Sequence, residues 1–291
     1  MSKEADMSAK LMLGKDTAAA VKADLDLEIE ELKSRGIEPR LDIIRVGRRP
    51  EDMAYENGAR KRFEKLGLTL EVTELPEDVT EDDFEAALEG LNKDPLVHGI
   101  LIFRPLPESL DVDRISRLTA PEKDVDCFDP VNIAKVLNGD SDGFAPCTAE
   151  AAIEIGERGG IDFDGKAVTI IGRSMVVGRP LAMMLLKKNA TVTVCHQHTK
   201  DLAESCRNAD VIISAAGCAG LVTADMVKEG ASVIDIGINV TDDGKLTGDV
   251  DFDAVAEKAE RITPVPGGVG GVTTSILARH VVIAAERLSG K

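Results

Sequence analysis

The amino-acid sequence predicts an α/β protein of two domains, on three observations. Short apolar runs rich in Val and Ile alternate with segments that carry apolar residues at helical spacing, which is typical of parallel sheets covered by helices. An irregular stretch at 124–148, rich in Gly, Pro, Asn and Asp, separates two such alternating blocks. The chain has 291 residues, which is enough for two cores, and 43% of them are hydrophobic.

The first alternating block follows a polar lead-in and contains three predicted helices and three predicted strands. Its first helix is predicted to stop at Gly36, because glycine readily takes the left-handed conformation that ends a helix. The predicted helices are 14–36, 50–66 and 80–92, and the predicted strands are 39–47, 68–75 and 97–103.

The second block has the pattern of a doubly wound nucleotide-binding domain. A helix at 149–160 leads into four apolar, β-rich runs that are separated by helical or turn segments. The four predicted strands are 166–172, 190–195, 209–217 and 231–237. A glycine-rich segment at 263–271 then precedes a final helix at 273–288, which could pack back on the first domain.

Charge and cysteine content narrow the class of partner. The 35 basic and 52 acidic residues give a formal charge of −17, which repels nucleic-acid phosphates and anionic membrane surfaces. The predicted partner is therefore a small molecule. The five cysteines are scattered, without the paired spacing of a disulfide framework or a zinc site, and suit a reducing compartment. With no signal-peptide or membrane-spanning run, a cytoplasmic protein is predicted.

A glycine-bounded turn at 172–178 is the first candidate binding feature. An apolar strand ends at Gly172 and a helix begins near Gly178, so the amides of the helix N-terminus would face a ligand above the sheet, as in phosphate sites. The turn reads G-R-S-M-V-V-G and not G-x-G-x-x-G, so a turn that only packs helix on strand is the alternative.

Basic residues at this turn favour a phosphorylated cofactor. Arg173 and Arg179 could meet a pyrophosphate or a ribose 2′-phosphate, with solvated surface arginines as the alternative. The next strand ends in "VCHQHT" without the acidic residue that usually binds the ribose of NAD, which favours NADP. His196 and His198 alternate on one face, but no third ligand lies nearby in sequence, so no metal site is predicted.

Motifs along nearly the whole chain resemble those of the methylenetetrahydrofolate dehydrogenase/cyclohydrolase family. The motifs are "VHGILI…PLP" (97–107), "PEKDVDCFDPVN" (121–132), "PCT" (146–148), "GRSMVVGRP" (172–180), "TVTVCH" (191–196), "GASVIDIGIN" (230–239), "GDVDF" (248–252) and "TPVPGGVG" (263–270). The resemblance implies a folate-binding domain at 1–148, completed by the C-terminal helix 274–291, and a Rossmann-like NAD(P)-binding domain at 149–273. It also implies an active-site cleft between the domains and a homodimer.

The resemblance also implies which residues form the sites. Tyr55 and Asp126 are the implied catalytic residues. The implied folate contacts are Tyr55, Phe103, Pro105, Asp126, Pro266, Gly267 and Gly268. The implied cofactor contacts are Cys147, Thr148, Gly172, Arg173, Ser174, Val177, Gly178, Arg179, Pro180, His196, Ala216, Gly217, Ile238 and Thr273, with NADP as the predicted cofactor and NAD as the alternative.

For three of these features a structural reading stays open. Tyr55, predicted to stack on folate, could be a core ring of an amphipathic helix. Asp126, predicted to accept two hydrogen bonds from the pterin ring, could instead stabilise its own loop by an Asx turn. The segment 264–270 could let its glycine backbone approach cofactor or folate, or serve only as a turn before the last helix.

The sequence departs from the family pattern at the chemical centre. The family carries Tyr-x-x-x-Lys on its second helix, which puts the lysine on the tyrosine's face, but the fourth residue after Tyr55 is Ala59. The family's partner glutamine is replaced by Phe103. Of the neighbouring cations, Arg60 and Lys61 face elsewhere on the helix and Arg62 lies one turn too far along it.

Further departures also lie mostly on the folate side. Asp52, Cys127, Ala134, Ala149 and the "GGVT" segment 270–273 replace a serine, two glycines, a proline and "GPMT" of the family pattern. We therefore expect a methylenetetrahydrofolate dehydrogenase with weak or absent cyclohydrolase activity. Asp124 is expected to be structural, so a catalytic carboxylate pair is not expected.

Two other functions remain open at this stage. One is a dehydrogenase of the same fold that acts on a different pterin or one-carbon carrier, because the departures lie around the folate pocket. The other is a non-catalytic relative that binds nucleotide or folate as a sensor or assembly partner. Hydride transfer separates the enzymes from the binding protein, and folate selectivity separates the two enzymes.

Overall fold

The computed structural model describes residues 9–241 and 243–290 as two compact units of alternating strands and helices. The strands are β1 (Lys10–Leu11), β2 (Arg40–Val46), β3 (Thr69–Leu75), β4 (Gly99–Ile102), β5 (Ala167–Ile171), β6 (Thr191–Cys195), β7 (Val211–Ser214), β8 (Ser232–Asp235), β9 (Asn239–Val240), β10 (Leu246–Thr247) and β11 (Arg261–Ile262). The helices are α1 (Gly14–Ser34), α2 (Pro50–Leu66), α3 (Glu81–Lys93), α4 (Val112–Leu118), α5 (Pro130–Asn138), α6 (Cys147–Gly159), α7 (Gly178–Lys187), α8 (Leu202–Arg207), α9 (Phe252–Ala256) and α10 (Gly270–Leu288), with a 3-10 turn at Ala224–Met226.

The three-strand unit consists of Ala20–Cys147 and residues 274–290. Its sheet is parallel in the order β3-β2-β4, and the central strand β2 is buried along most of its length, including its charged residues Asp42 and Arg45. The segment after α4 runs beside β4, where the Ile100 amide donates to the Lys123 carbonyl at 2.6 Å and Ile100 pairs with Asp124 in a parallel bridge. The two chain segments that carry Phe103 and Asp126 therefore leave the sheet side by side.

The six-strand unit consists of residues 9–19 and Thr148–Thr273. Its sheet is parallel throughout, in the order β1-β11-β8-β7-β5-β6. From β5 the chain passes to β6 on one side, then crosses back to β7 on the other. Such a reversal opens a crevice at the carboxyl ends of the strands, which is where doubly wound sheets bind their ligands. The predicted α/β fold class, with its doubly wound parallel sheet, is confirmed.

The N-terminal segment is a correction to the predicted organisation. We expected a polar lead-in that belongs to the first domain, but Lys10 and Leu11 form an edge strand parallel to β11 of the six-strand sheet. Ala9 lies in the same buried cluster as Ile212 and Val233. Leu11 also packs against this cluster. Backbone pairing and these apolar contacts place residues 9–19 in the six-strand unit and not in the predicted domain 1–148.

The stretch at 124–148 is a second correction, because it is not irregular throughout. It contains helix α5, in which Asp129 caps the N-terminus by accepting from the Val131 amide at 2.7 Å and Pro130 fills the first turn. Gly139 ends the helix in the left-handed conformation, with φ 76°. Helix α4 was also not predicted. Within residues 9–241 and 243–290, the helices are too short or too polar to cross a bilayer.

Candidate functional site

The aromatic pair Tyr55 and Phe103 forms one wall of a candidate substrate site in the three-strand unit. Tyr55 lies on α2, which begins at Pro50 and ends at Gly67 in the left-handed conformation. The two ring centroids are 5.6 Å apart with perpendicular planes, an edge-to-face contact. Tyr55 is half-buried and Phe103 is buried. Because Tyr55 is only half-buried, part of its ring is accessible for stacking on a flat heterocycle.

Asp126 lies beside this pair and is held from two sides. Its Oδ1 accepts from the Cys147 amide at 2.8 Å, and its Oδ2 accepts from Nη2 of Arg104 at 3.2 Å. Burial raises the pKa of the Tyr55 phenol well above its ordinary value, and the nearby Cys147 thiol and Asp126 carboxylate raise it further. The phenol therefore stays protonated at neutral pH and can donate a hydrogen bond.

Asp124 has a different task from Asp126. Its fully buried carboxylate accepts from the backbone amides of Phe128 and Asp129 at 2.9 Å, and from Nδ2 of Asn132 at 3.0 Å. These are the contacts of a group that holds its loop. Cys127, which stands where the family has glycine, adopts the left-handed backbone that glycine favours, with φ 58°.

Cys147 and His280 both contact the residue before Asp126. Both side chains are buried, and Nδ1 of His280 donates to the Val125 carbonyl at 2.9 Å while the Cys147 thiol donates to the same oxygen at 3.2 Å. Cys147 was predicted as a cofactor contact, but its thiol is fully buried in the three-strand unit and its amide binds Asp126. Thr148, the next residue, is partly buried in α6.

Ala59 is fully buried one helical turn after Tyr55. Its methyl group occupies the position that the family pattern gives to lysine, on the same face of α2 as the tyrosine. The cations that follow point elsewhere: Arg60 pairs with Glu56 at 2.9 Å and Lys61 is exposed. Pro105, a predicted substrate contact, is exposed and lines a cavity of about 270 Å³ together with Arg49 and Glu77.

The glycine turn of the six-strand unit has the shape of a phosphate cradle. Gly172 has φ 127°, and a Cβ there would lie 2.5 Å from the Ala215 carbonyl oxygen, while a Cβ on Gly178 would overlap the carbonyl of Gly172. Arg173, Ser174 and Arg179 are exposed around the turn, Val177 is half-buried, and Gly178 and Pro180 are buried. In the described part of the chain no side chain caps the first turn of α7. The Val177 amide donates to the Ser174 hydroxyl at 3.1 Å and the Arg179 amide to the Ser174 carbonyl at 3.0 Å, so these bonds fix the shape of the turn. A close-packed glycine turn at a helix N-terminus, with exposed cationic side chains, fits the pyrophosphate of a dinucleotide.

Gly178→Ala is expected to weaken NADP binding by at least about tenfold, because the added methyl group must push the turn open and misplace the amides. Titration of NADP against the purified variant measures this. Gly90→Ala is the matched control, since a Cβ at Gly90 in α3 meets nothing within 4 Å and alanine favours a helix. Equal affinity of Gly178→Ala and wild type would show that the turn does not bind phosphate.

The remaining predicted cofactor residues follow the other strands of the same sheet. His196 follows β6, Ala216 and Gly217 follow β7, and Ile238 follows β8. Ala216, Gly217 and Ile238 are exposed, and the half-buried His196 accepts at Nδ1 from the His198 amide at 3.1 Å. The described residues contain no group of three or more His, Cys, Asp and Glu that could hold a metal ion. The four predicted cofactor residues, His196, Ala216, Gly217 and Ile238, follow the carboxyl ends of strands, where a doubly wound sheet binds its nucleotide.

A buried carboxylate that we did not predict, Asp249, ties two of these loops together. Its oxygens accept from the amides of Ala216 at 2.7 Å and Cys218 at 2.9 Å after β7, and from Nδ2 of Asn239 at 3.0 Å after β8. Asp249 is 0% exposed, so these donors are strongly held. Asp249 lies in the motif "GDVDF" (248–252). The sequence does not show that Asp249 joins the loops after β7 and β8, because these contacts form only in the folded chain.

Pro266, Gly267 and Gly268, predicted as folate contacts, lie in the six-strand unit. They line a cavity of about 200 Å³ together with Asp235 and the exposed Ile238. This placement associates the glycine segment with a predicted cofactor residue. Thr273 is buried at the start of α10, where its hydroxyl donates to the Val269 carbonyl at 3.4 Å.

Asp235 should make the protein less stable as the pH rises. Burial raises its pKa from an ordinary 3.8 to about 6, although the amides of Gly237, Asp249 and Val250 donate to it. Between these two pH values the folded chain holds more protons than the unfolded chain, so the contribution of Asp235 to the free energy of unfolding falls with rising pH. The full loss is about 3 kcal/mol, of which about half falls between pH 5 and pH 7.5.

Comparing urea unfolding of wild type and Asp235→Asn at several pH values isolates this contribution, since the many other carboxylates are common to both proteins. We expect the stability of wild type relative to the variant to fall by roughly 1 to 2 kcal/mol from pH 5 to pH 7.5. A difference that does not change with pH would mean that Asp235 titrates near its ordinary value.

The two units together define a class: an α/β protein that joins a doubly wound nucleotide-type unit to a second unit with an aromatic and carboxylate site. Comparisons with known proteins identify the family. The family model "Tetrahydrofolate dehydrogenase/cyclohydrolase, catalytic domain" matches residues 12–126, and "Tetrahydrofolate dehydrogenase/cyclohydrolase, NAD(P)-binding domain" matches residues 146–289. The chain belongs to the tetrahydrofolate dehydrogenase/cyclohydrolase family.

Individual relatives are similar over nearly their full length. The Bifunctional protein FolD of Alkaliphilus metalliredigens is 52% identical over 278 residues, which cover 96% of this chain and 98% of the relative. The crystal structure of the bifunctional enzyme FolD from Campylobacter jejuni superposes with a TM-score of 0.93 at 43% identity, covering 96% of this chain and 99% of that one. The Trypanosoma brucei enzyme, complexed with NADP cofactor and inhibitor, gives a TM-score of 0.92 at 36% identity, covering 97% and 99%.

Proposed function

We propose that this protein is an NADP-dependent methylenetetrahydrofolate dehydrogenase with weak or absent cyclohydrolase activity. Family membership supports the dehydrogenase reaction, and so does the grouping of Tyr55, Phe103 and Asp126 in one unit and the phosphate-type turn in the other. The observation that carries the restriction to one activity is the pair Ala59 and Phe103, which supplies a buried methyl and a phenyl group where the family pattern has lysine and glutamine.

The dehydrogenase step makes small demands on the protein's acids and bases. A hydride leaves the one-carbon bridge with both bonding electrons, and the positive charge that remains is shared by the two flanking nitrogens of the folate. NADP supplies the acceptor carbon for that hydride. No proton is released, so the residues need only bind and orient. Asp126 would hold the hydrogen-bonding edge of the pterin, and Tyr55 would cover a face of the ring system.

The cyclohydrolase step is different because it moves protons. Water adds to the cationic carbon and loses a proton, which leaves a hydroxyl group on that carbon. The ring opens when the bond to N5 breaks, N5 takes up a proton and the hydroxyl loses its proton to become the formyl carbonyl, so one proton is released overall. A side chain that exchanges protons near the bridge accelerates such a step by about 10² to 10⁴. Neither Ala59 nor Phe103 can do so, and the Tyr55 phenol, whose pKa is raised by burial, holds its proton too tightly to act as a base.

The names of the relatives point to both activities, since the Alkaliphilus and Campylobacter proteins are called bifunctional. Our proposal departs from those names on two residues of this chain alone. NADP is proposed over NAD because Arg173 and Arg179 are exposed at the turn and no acidic residue follows β6 at 196–199. The homodimer that the family resemblance implies remains a prediction.

The decisive experiment mixes the purified protein with methylenetetrahydrofolate and either NADP or NAD, and follows reduced cofactor, methenyl product and formyl product separately. We expect reduced NADP and methenyltetrahydrofolate to appear in equal amounts, with formyl product forming at the rate seen in buffer. Formyl product well above that rate would contradict the restriction to one activity. No turnover with either cofactor would favour a different pterin carrier or a binding role.

A further inference from the structure

We propose that Arg104 is a specificity residue that recognises the 4-oxo group of the pterin ring. This inference rests on the proposed folate site at Asp126 and deepens it. Arg104 follows Phe103 at the end of β4, and its Nη2 lies 3.2 Å from Oδ2 of Asp126. The family resemblance assigns Arg104 no role. Charged residues commonly follow buried strands, so the sequence alone provided no reason to single it out.

The Arg104 guanidinium is held in place on two sides. Besides the ion pair with Asp126, its central carbon lies 5.1 Å from the centroid of the Phe128 ring, a distance at which the cation is attracted to the aromatic face. The side chains of Arg104 and Asp126 are 26% and 20% exposed. They are thus accessible to a ligand but partly shielded, so hydrogen bonds to them are stronger than at an open surface.

Counting donors and acceptors shows what this pair can bind. An aspartate has about four lone-pair sites, and the Cys147 amide and Arg104 occupy two of them, one on each oxygen. Each oxygen can therefore accept one more hydrogen bond. Arginine has five N–H donors in a planar fork, and one of them goes to Asp126. The pair presents a donor next to two acceptors.

The pterin ring carries the complementary row on one edge: the 4-oxo oxygen accepts, while N3–H and the 2-amino group donate. Asp126 would accept from N3–H and the amino group, and Arg104 would donate to the 4-oxo oxygen. The 4-thioxo analogue keeps N3–H and the 2-amino group for Asp126 but offers Arg104 a sulfur atom, which is a weaker hydrogen-bond acceptor than oxygen. The pair should thus select 4-oxo over 4-thioxo rings.

A purely positional role for Arg104 makes a different prediction. If Arg104 only orients Asp126, removing it weakens every ligand that uses Asp126, and the 4-oxo and 4-thioxo rings suffer equally, because both present the same two donors to Asp126. The ratio of the two affinities therefore separates recognition from support. This ratio is also insensitive to any general loosening of the site.

The test is anaerobic calorimetry of tetrahydrofolate and its 4-thioxo analogue with wild type, Arg104→Met, Arg104→Gln and Arg104→Lys. We expect wild type to bind the 4-oxo compound about tenfold more tightly, and Arg104→Met to reduce that ratio to about threefold or less. Arg104→Gln, whose neutral amide can still donate one hydrogen bond, should give a ratio between those of wild type and Arg104→Met. Arg104→Lys should keep a preference between those of wild type and Arg104→Met and tests the proposal if Arg104→Met does not fold.

Arg114→Met is the matched control, because Arg114 is also an ion-paired arginine of the three-strand unit but lies 58% exposed on α4 beside Glu85. Its ratio should equal that of wild type. An unchanged ratio in the folded Arg104 variants would overturn the inference even if turnover of methylenetetrahydrofolate is normal. Conversely, a wild type that discriminates through Arg104 but transfers no hydride would overturn the proposed function and leave the inference standing.

Discussion

Replacing Asp126 with asparagine is expected to lower kcat/KM for methylenetetrahydrofolate by at least about 100-fold while the KM for NADP changes by less than about threefold. Asparagine has nearly the same shape, but one of its two oxygens becomes an NH₂ group. That group would face the N–H donors of the pterin edge, or the Arg104 guanidinium that now pairs with Oδ2. In either orientation two donors oppose each other.

The size of the effect follows from the site's partial burial. A charged acceptor that loses its charge forfeits about 1.5 to 3 kcal/mol per hydrogen bond, and an unpaired donor on the pterin adds desolvation cost. Two such bonds correspond to a factor of about 100 or more. Because Asp126 contacts the ring before and during hydride transfer, we expect the loss in both kcat and KM.

Steady-state kinetics with each substrate varied separately measures this split. Asp142→Asn serves as the control, since Asp142 is also an ion-paired carboxylate of the three-strand unit, 2.8 Å from Lys135 at an exposed position. Its kinetics should match wild type. Nearly normal kcat/KM in Asp126→Asn would show that Asp126 only holds its loop. The Arg104 inference would then lose its basis.

The elements predicted best are those whose sequence pattern reflects burial. Strands β4, β5 and β7 are mostly apolar, because parallel strands are covered on both faces. Strands β2 and β8 combine apolar residues with charged or polar ones that are also largely buried. Strands β1 and β11 have two residues each and exist only through pairing with distant segments, so no local pattern could indicate them. Helix α5 was missed for another reason: its signals, an Asp N-cap, proline and a final glycine, were present but were interpreted as loop composition.

Only those residues of the candidate site that belong to family motifs could be predicted from the sequence. The motifs named Tyr55, Phe103 and Asp126, which the fold brings together because β4 and the segment at Asp124 run side by side. Arg104 and Asp249 were not found, since their roles come from partners 22 and at least 10 residues away in sequence. Cys147 was assigned to the cofactor by motif, whereas its amide holds Asp126.

The double variant Ala59→Lys with Phe103→Gln is expected to gain cyclohydrolase activity, with formyl product forming at least about tenfold faster than with wild type. The lysine would extend from the face of α2 that carries Tyr55. Because Ala59 is fully buried, the amine would be partly desolvated and its pKa would fall toward neutrality, which suits proton exchange. The glutamine removes the buried phenyl group and provides a hydrogen-bonding partner.

Ala59→Met with Phe103→Gln is the control that isolates the amine. Methionine has a similar length but no ionisable group, so this variant should form formyl product no faster than wild type. Both variants should still reduce NADP, although replacing the Tyr55 contact of Phe103 is expected to lower the dehydrogenase rate several-fold. Thermal unfolding must show that each variant is folded, since burying a lysine is costly without a partner.

Three results would then separate the possible causes of the proposed lack of cyclohydrolase activity. A gain in the lysine variant alone would assign the defect to the absent amine at Ala59. Equal gains in both variants would mean that the Phe103 ring excludes water from the bridge and that the amine is dispensable. A folded lysine variant that oxidises methylenetetrahydrofolate and still forms no formyl product would contradict our explanation, because both family groups would be present and the proton transfer they are proposed to supply would still be lacking.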